Sequence, residues 1–283
     1  MSLLYFLLPV FGGYTLTSLY LLKNPHILHK KKRTAFYCMH ISHRGGCGER
    51  IESTMEAFEN AVKHGTEMLE MDCHLTRDEY VVVSHDENLL RQTGQDVNIS
   101  SLDLQDLPLY KERMEVLFYE GRYSTGADRK IALLEDVFRK FPELPVSIEI
   151  KENNKRLMQK NGSMPYSFSM TRGMLLLLLF YTGLLPFVPL GESLLQFYLP
   201  RIMNRCVCEH LSLDIKMEWN GTSILTMRRS LFQHLAARGI QVHLFVCNEE
   251  EDIKAAMEVG ATGVMTDYPS LLSTYFCKTR SSD

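Results

Sequence analysis

The stretch that decides the fold is residues 37–87, YCMHISHRGGCGERIESTMEAFENAVKHGTEMLEMDCHLTRDEYVVVSHDE. It contains three short apolar runs, which end at His43-Arg44-Gly45, around Glu70 and Asp72, and at His85-Asp86. Between the first two runs, apolar residues recur at helical spacing over 52–62. The pattern predicts strand, helix, strand, short connection and strand. If these strands are parallel, their carboxyl ends meet at one mouth, where barrel enzymes of the (β/α)₈ type keep their chemistry.

Length and composition set the first limits on function. The chain has 283 residues, of which 45% are hydrophobic, enough for one barrel-sized domain with extra segments or for two small domains. The net charge of −3 offers no broad basic field, so we expect no nucleic-acid partner. Seven cysteines without framework spacing indicate a reducing compartment. Cys206 and Cys208 form a C-x-C without a second pair, so we predict no zinc site there.

The N-terminus is apolar and is followed by positive charge. Residues 3–22 contain no charged side chain, and such a run is long enough to cross a bilayer as a helix. A basic run follows at 30–33. We therefore predict a transmembrane anchor over 1–24 and a basic juxtamembrane linker over 25–36. The positive-inside rule then puts the remaining chain in the cytoplasm.

Strands and helices alternate through the rest of the chain, which is typical of an α/β fold with a parallel sheet. We predict one barrel domain over 37–272 and a C-terminal tail over 273–283. The remaining predicted helices cover 131–141, 227–238 and 250–259, and the remaining predicted strands cover 146–150, 165–170, 242–247 and 263–266. Only about a dozen residues separate the strands at 146–150 and 165–170, which is marginal for a parallel crossover.

A second uncharged, apolar segment covers residues 174–190. A second membrane crossing here would separate the last strands from the first ones, which one closed barrel does not allow. We favour a hairpin or helix in the membrane interface, as part of an apolar insertion over about 174–198. A true span and a buried core helix are the alternatives.

Three carboxylates form a candidate metal site. Glu70 and Asp72 lie two residues apart on a strand and so share one face, while Leu69, Met71 and Cys73 face the other way. Unpaired carboxylates in a barrel interior are costly, and a divalent cation with oxygen ligands would neutralise them. We predict Glu149, on another strand, as the third ligand.

Two histidines and two basic residues complete the candidate site. His43 and His85 each follow a strand and can divide general acid and base work, or either can bind the metal. Arg44 offers a fork of donors that matches a phosphate, and Lys151 adds a point charge. Together with a metal, these groups indicate cleavage of a phosphodiester.

At this point the chain resembles the glycerophosphodiester phosphodiesterase family, in its membrane-anchored lysophospholipase D branch of animals. The resemblance rests on H-R-G, E-S-T, L-E-M-D, V-V-V-S-H-D, I-E-I-K and G-V-M-T-D-Y-P, and covers about residues 3–151 and 227–270. It implies a TIM barrel that hydrolyses lysophospholipids or related glycerophosphodiesters, including N-acyl ethanolamine lysolipids, with Mg²⁺ or Ca²⁺. The products would be lysophosphatidic acid and the head-group alcohol. The resemblance further implies an intracellular membrane such as the endoplasmic reticulum.

The resemblance also assigns roles to residues of this chain. It implies His43 and His85 as the catalytic histidines, with one removing the proton of the attacking glycerol hydroxyl and the other protonating the head-group oxygen. Water then opens the cyclic phosphate with the roles reversed. The implied metal ligands are Glu70, Asp72, Glu149 and His85, and the implied substrate contacts are Arg44, Lys151 and Glu52.

Two residues and one connection depart from the family pattern. Ser53 stands where the family usually has Asn, and Phe245 stands where Trp is common. The connection over 152–163 is short, and relatives carry a helix and the fifth barrel strand there. We therefore expect an incomplete barrel of about seven strands, which must alter its tilt, leave a gap or recruit another segment. The alternative function is a weakly active or inactive membrane-anchored barrel that binds lysolipid or regulates a full-length relative.

Overall fold

The computed structural model describes residues 4–33, 36–117, 119, 121–150, 164–200, 202 and 225–280. Within these residues the strands are β1 (His40–Ser42), β2 (Met68–Leu75), β3 (Val81–Val83), β4 (Arg113–Glu115), β5 (Tyr123–Thr125), β6 (Ala132–Leu133), β7 (Val146–Ile150), β8 (Leu194–Tyr198), β9 (Gln241–Phe245) and β10 (Gly263–Thr266). The helices are α1 (Leu4–Lys23), α2 (Met55–Lys63), α3 (Leu90–Thr93), α4 (Leu134–Lys140), α5 (Met170–Tyr181), α6 (Arg229–Ala237), α7 (Glu250–Val259) and α8 (Pro269–Arg280).

Six parallel strands form the part of the sheet that carries the candidate site. Their order is β8-β9-β10-β1-β2-β7, and each pairs in parallel with its neighbours. Helices packed between successive strands give a TIM-barrel-like fold with a mixed sheet. The carboxyl ends of these strands open at one mouth, as the residues around His43 predicted.

The strand that precedes His85 runs in the opposite direction to the one we expected. β3 pairs antiparallel with β2, and β6 pairs antiparallel with β3. The cause is the short connection, a turn in which the Thr76 N–H donates to the Tyr80 carbonyl at 3.0 Å. So few residues cannot make a parallel crossover, which needs about a dozen.

Two further predicted elements were wrong in part. Residues 165–170 make one isolated bridge, from Ser167 to Leu194, and α5 begins at Met170. The predicted helix over 131–141 begins only after the two-residue strand β6. The strands over 146–150 and 263–266 and the helix over 250–259 have the predicted ends, and the other predicted elements are present with shifted ends.

The sheet has a strand that the sequence pattern did not predict. β8 lies inside the segment assigned to the apolar insertion, and it pairs with β9 over five residues. Leu176, Leu185 and Leu190 from the same segment are buried in the main core with Leu231 and Leu244. The apolar segment therefore ends before Leu194, and part of it is core.

The row of parallel strands ends at β7 and β8. Among the described residues, no backbone ladder joins these two strands, but Gln196 Nε2 donates to Ser147 Oγ at 3.3 Å. The short connection that should decide how the barrel closes, 152–163, lies outside the described residues.

Helix α1 packs against the barrel. Tyr14 Oη donates to the Thr182 carbonyl at 2.5 Å, Ser18 Oγ donates to the Gly183 carbonyl at 2.6 Å, and His234 Nδ1 lies 2.8 Å from the Leu22 carbonyl. Of the helices in the described part of the chain, none is both long enough and apolar enough to cross a membrane. The predicted transmembrane helix over residues 3–22 is therefore not supported. Pro9 and several polar side chains interrupt the apolar run.

Candidate active site

A tight turn after β1 presents the first histidine. The turn is a 3₁₀ segment, His43–Gly45, in which Arg44 has a left-handed conformation with φ 47°. Such a conformation costs a non-glycine residue about 1–3 kcal/mol and persists only where the surroundings enforce it. The surroundings here are close, because a Cβ on Gly46 would lie 2.5 Å from the ring of Pro269, and one on Gly45 would lie 2.5 Å from Phe58.

Asp267 fixes the orientation of His43. Its Oδ1 lies 2.6 Å from His43 Nδ1, and its Oδ2 accepts from Asn248 Nδ2 at 2.6 Å. The Cys47 thiol also donates to Oδ1, at 2.9 Å. With Nδ1 occupied, the reactive nitrogen of His43 is Nε2, which lies 4.0 Å from Glu70 Oε2.

The charges around His43 favour its protonated form. Burial alone lowers the pKa of His43, but the Asp267 carboxylate outweighs it, so the pKa lies above its ordinary value. For Asp267, burial raises the pKa, while His43 and the hydrogen bonds to its carboxylate lower it to a net value below the usual range. The pair is therefore built to hold a proton on the imidazole.

Three carboxylates converge beside this histidine. Glu70 and Asp72 are buried on β2, Asp72 is in register with Glu149 on β7, and oxygens of all three lie within 4.8 Å of one another. Burial, and then the charge of Asp72, raise the pKa of Glu70 to about 7. The backbone N–H of Arg44 donates to Glu70 at 2.9 Å, which links the carboxylates to the histidine turn.

A partly buried network links Arg44 to the second histidine. Glu52 accepts from Arg44 at 3.3 Å and from Arg91 at 2.5 Å. Arg91 also donates to Asp86 at 2.6 Å, and the other oxygen of Asp86 lies 2.6 Å from His85 Nδ1. For Glu52, burial raises the pKa, but Arg44 and Arg91 lower it below the ordinary value. Each histidine thus has an aspartate at Nδ1 and its Nε2 left for chemistry.

Sequence comparison agrees with this geometry. The model of the glycerophosphoryl diester phosphodiesterase family matches residues 43–173. Human lysophospholipase D GDPD1 is 45% identical over 302 aligned positions, covering 96% of each chain, and human lysophospholipase D GDPD3 is 43% identical over 309, also covering 96% of each. The chain belongs to the glycerophosphoryl diester phosphodiesterase family.

Comparison of structures supports the same fold. A glycerophosphodiester phosphodiesterase from Agrobacterium tumefaciens superposes with a TM-score of 0.57 at 13% identity, covering 85% of this chain and 99% of that one.

The alignment with human GDPD1 has 302 positions against 283 residues here, so at least 19 positions of that relative have no counterpart in this family member.

Most of the predicted site residues of this family member lie together. His43, Arg44, Glu70, Asp72 and Glu149 surround one point at the mouth. The Glu52 side chain is buried, and Arg44, Arg91 and Gln92 occupy its carboxylate, so it orients Arg44 where we expected a substrate contact. The other predicted residues are His85, which connects through Asp86 and lies outside the group of three carboxylates, and Lys151, which lies outside the described residues.

The sequence reasoning missed the residues that hold His43. Asp267 is 224 positions away from His43 along the chain, and Asn248 and Cys47 were given no role. One signal was present: Asn248 and Asp267 both follow predicted strands, as His43 does, so all three belong to the same mouth.

Proposed function

We propose that this chain is a metal-dependent phosphodiester hydrolase that acts as a lysophospholipase D. Its substrate class is a lysophospholipid or related glycerophosphodiester, including N-acyl ethanolamine lysolipids, and its products are lysophosphatidic acid and the head-group alcohol. The observation that carries the proposal is the meeting of Glu70, Asp72 and Glu149 beside a histidine that an aspartate orients. The two human relatives named lysophospholipase D support the choice of substrate.

The carboxylate group fits a hard divalent cation. Opposite oxygen ligands lie about 4 Å apart across Mg²⁺ and about 5 Å apart across Ca²⁺, and the oxygens here lie within 4.8 Å of one another. Burial and the neighbouring Asp72 carboxylate, which together raise the pKa of Glu70, form an environment that a bound cation would relieve. When bound, Mg²⁺ or Ca²⁺ supplies a charge that holds the phosphate and favours ionisation of a nearby hydroxyl.

The histidines supply the proton transfers. In the first step the free glycerol hydroxyl attacks phosphorus and gives its proton to one imidazole. The phosphorus–oxygen bond to the head group breaks as that oxygen takes a proton from the other imidazole. In the second step water opens the cyclic phosphate and the two imidazoles exchange roles, so each acts once as acid and once as base. Asp267 and Asp86 orient the imidazoles of His43 and His85 through their Nδ1 atoms, and Asp267 also stabilises the charged form of His43.

Arg44 and Lys151 are the proposed phosphate contacts. Arg44 Nε is buried 3.8 Å from Asp72 Oδ2 and has no hydrogen-bond partner among the described residues, so this N–H of the planar fork can donate to an anion. Glu52 holds the opposite side of the guanidinium. Lys151 follows Glu149 by two positions and would add its charge to the same phosphate.

The proposed setting is a membrane surface. Large apolar side chains are exposed on α1 and on α5, and α1 contacts the turn that follows α5, where Tyr14 stacks on Phe187. The basic run over 30–33 would add attraction to anionic lipids. We propose that the chain works on the cytoplasmic face of an intracellular membrane such as the endoplasmic reticulum, where a single-chain lysolipid is available.

One observation favours a second candidate function. Among the described residues β7, which carries Glu149, is joined to β8 by a side-chain hydrogen bond and by no ladder. A cation site with one ligand on such a strand could bind lysolipid, or regulate a full-length relative, with little turnover.

Choline release from lysophosphatidylcholine, measured with and without EDTA, tests the proposal. We expect EDTA to abolish turnover, and His43→Ala to lower it by at least about 100-fold, because general acid–base catalysis contributes about 10²–10⁴. Glu70→Gln should also lower turnover strongly, because it removes a ligand of the cation. Glu143→Gln, which removes an exposed carboxylate six positions before Glu149, is the matched control. Full turnover by His43→Ala would exclude the proposal, and lysolipid binding without EDTA-sensitive turnover would favour the second candidate.

A further inference from the structure

A second group of possible metal ligands lies on the other side of His43. The Nδ1 of His43, the Sγ of Cys47 and a carboxylate oxygen of Asp267 lie within 4.8 Å of one another. All three side chains are buried. This group shares no residue with the three carboxylates of β2 and β7.

The chemistry of this second group differs from that of the first. Glu70, Asp72 and Glu149 offer only oxygen, which suits Mg²⁺ and Ca²⁺. A thiol, an imidazole and one carboxylate are the ligands that bind Zn²⁺ and other thiophilic cations. We propose that His43, Cys47 and Asp267 form an inhibitory site for Zn²⁺ or Cd²⁺, separate from the site of the hard cation.

The geometry requires only a small opening. Ligand atoms in a tetrahedral zinc site are about 3.4–3.6 Å apart. His43 Nδ1 and Cys47 Sγ now lie 2.6 and 2.9 Å from Asp267 Oδ1 as hydrogen bonds, so each pair must separate by less than about 1 Å. Backbone contacts hold the two segments together, because the Gly48 N–H donates to the Asp267 carbonyl at 2.9 Å.

A cation bound at this site would inhibit hydrolysis because it changes the proton state of His43. The S–H bond of Cys47 breaks, its proton goes to solvent, and a sulfur–metal bond forms. A neutral His43 that binds the metal through Nδ1 carries its remaining proton on Nε2. It can then no longer accept a proton from the attacking hydroxyl. This inhibitory effect rests on the proposed function, whereas the binding does not.

A cadmium titration tests the binding directly. The protein used for the titration carries Cys206→Ser, Cys208→Ser and Cys277→Ser, which remove three of its seven thiols, and it is saturated with Mg²⁺. We expect one Cd²⁺ per chain to give a thiolate-to-metal charge-transfer absorption band. Cys47→Ser, which keeps a hydrogen-bond donor to Asp267, should abolish the band. Cys38→Ser, at a buried thiol bonded to the Glu67 carbonyl, is the matched control and should keep it.

Inhibition provides the second measurement. Zn²⁺ should inhibit hydrolysis even in excess Mg²⁺. When the rate of each protein is normalised to its own rate without Zn²⁺, Cys47→Ser should raise the half-inhibitory Zn²⁺ concentration by at least about tenfold. The proposal is overturned if the cadmium band survives Cys47→Ser, or if Zn²⁺ inhibits both proteins equally and Mg²⁺ relieves it. If the chain hydrolyses no phosphodiester, the absorption band still decides the binding, so the two proposals fail separately.

Discussion

The contact between His43 and Asp267 depends on single atoms. Asp267 accepts at Oδ1 from His43 and at Oδ2 from Asn248, while its own N–H donates to Asn248 Oδ1 at 2.9 Å. Asn248 therefore holds Asp267 by one hydrogen bond to its carboxylate and one from its backbone N–H, and the carboxylate holds the imidazole. Such a chain fixes which nitrogen of His43 faces the substrate.

Asp267→Asn should lower turnover by about 10³–10⁴ with little change in KM, because an amide can donate to Nδ1 and so leave the proton on Nε2. Loss of the carboxylate also removes the charge that raises the pKa of His43. The limb of the pH–rate profile that reports His43 should therefore move to lower pH. Steady-state kinetics from pH 5 to 9 measures both effects. A variant with normal turnover and an unmoved limb would contradict this role.

The binding of Mg²⁺ to the metal-free chain should depend on pH through Glu70. Because the pKa of Glu70 is raised to about 7 in the metal-free chain, the carboxyl is protonated below that pH and the cation must displace the proton. We expect the affinity for Mg²⁺ to fall by up to about tenfold per pH unit below pH 7, which calorimetry at pH 6 and 8 would measure. In Glu70→Gln binding should be weaker and nearly independent of pH over this range. An equal pH dependence in both proteins would contradict the prediction.

At the scale of elements, the docking of α1 depends on a buried histidine of α6. Burial, with a smaller contribution from Arg238, lowers the pKa of His234 to about 4, although its hydrogen bond to the Leu22 carbonyl opposes the shift. The undocked or unfolded histidine has a pKa near 6.5 and binds more protons than the docked one between pH 4 and 6.5. Docking of α1 is therefore complete above pH 6.5 and weakens as the pH falls through that range.

Hydrogen exchange of the α1 amides at pH 5 and pH 7.5, corrected for intrinsic rates, tests this prediction. We expect weaker protection of α1 at pH 5, and a smaller difference between the two pH values in His234→Gln, which does not titrate. His64→Gln, at the end of α2, is the matched control and should behave like the unaltered protein. Equal protection at both pH values would show that His234 does not control the docking.

At the scale of the whole molecule, local pattern was enough for most of the elements and for part of the site. Alternation along β2 predicted correctly that Glu70 and Asp72 face away from the Leu69 and Met71 core. The direction of β3 depends on a turn, and β8 lies in an apolar run with no strand-like alternation, so periodicity gave neither. Asp267 and His43 follow the last and the first strands of the chain, β10 and β1, so their contact has no local signal in the sequence.

The apolar surface of α1 and α5 gives the last prediction. Met174 and Leu178 are exposed on α5, whereas Leu176 and Leu185 are buried in the core, so deletion of this segment would damage the fold. Substitution of the exposed pair tests the surface alone. Each apolar side chain that enters a membrane contributes about 1.5–3 kcal/mol, so the double change Met174→Asp and Leu178→Asp should reduce binding to lysolipid vesicles by at least about tenfold.

The reaction separates membrane contact from catalysis. Hydrolysis of lysophosphatidylcholine in vesicles should fall with the binding, while hydrolysis of water-soluble glycerophosphocholine should stay within about twofold, because neither side chain belongs to the candidate site. Phe138→Asp, at an exposed apolar side chain of α4, controls for the added charge and should change neither rate. If both substrates were affected equally, the substitution would be acting through the fold, and this surface would have no role in lipid access.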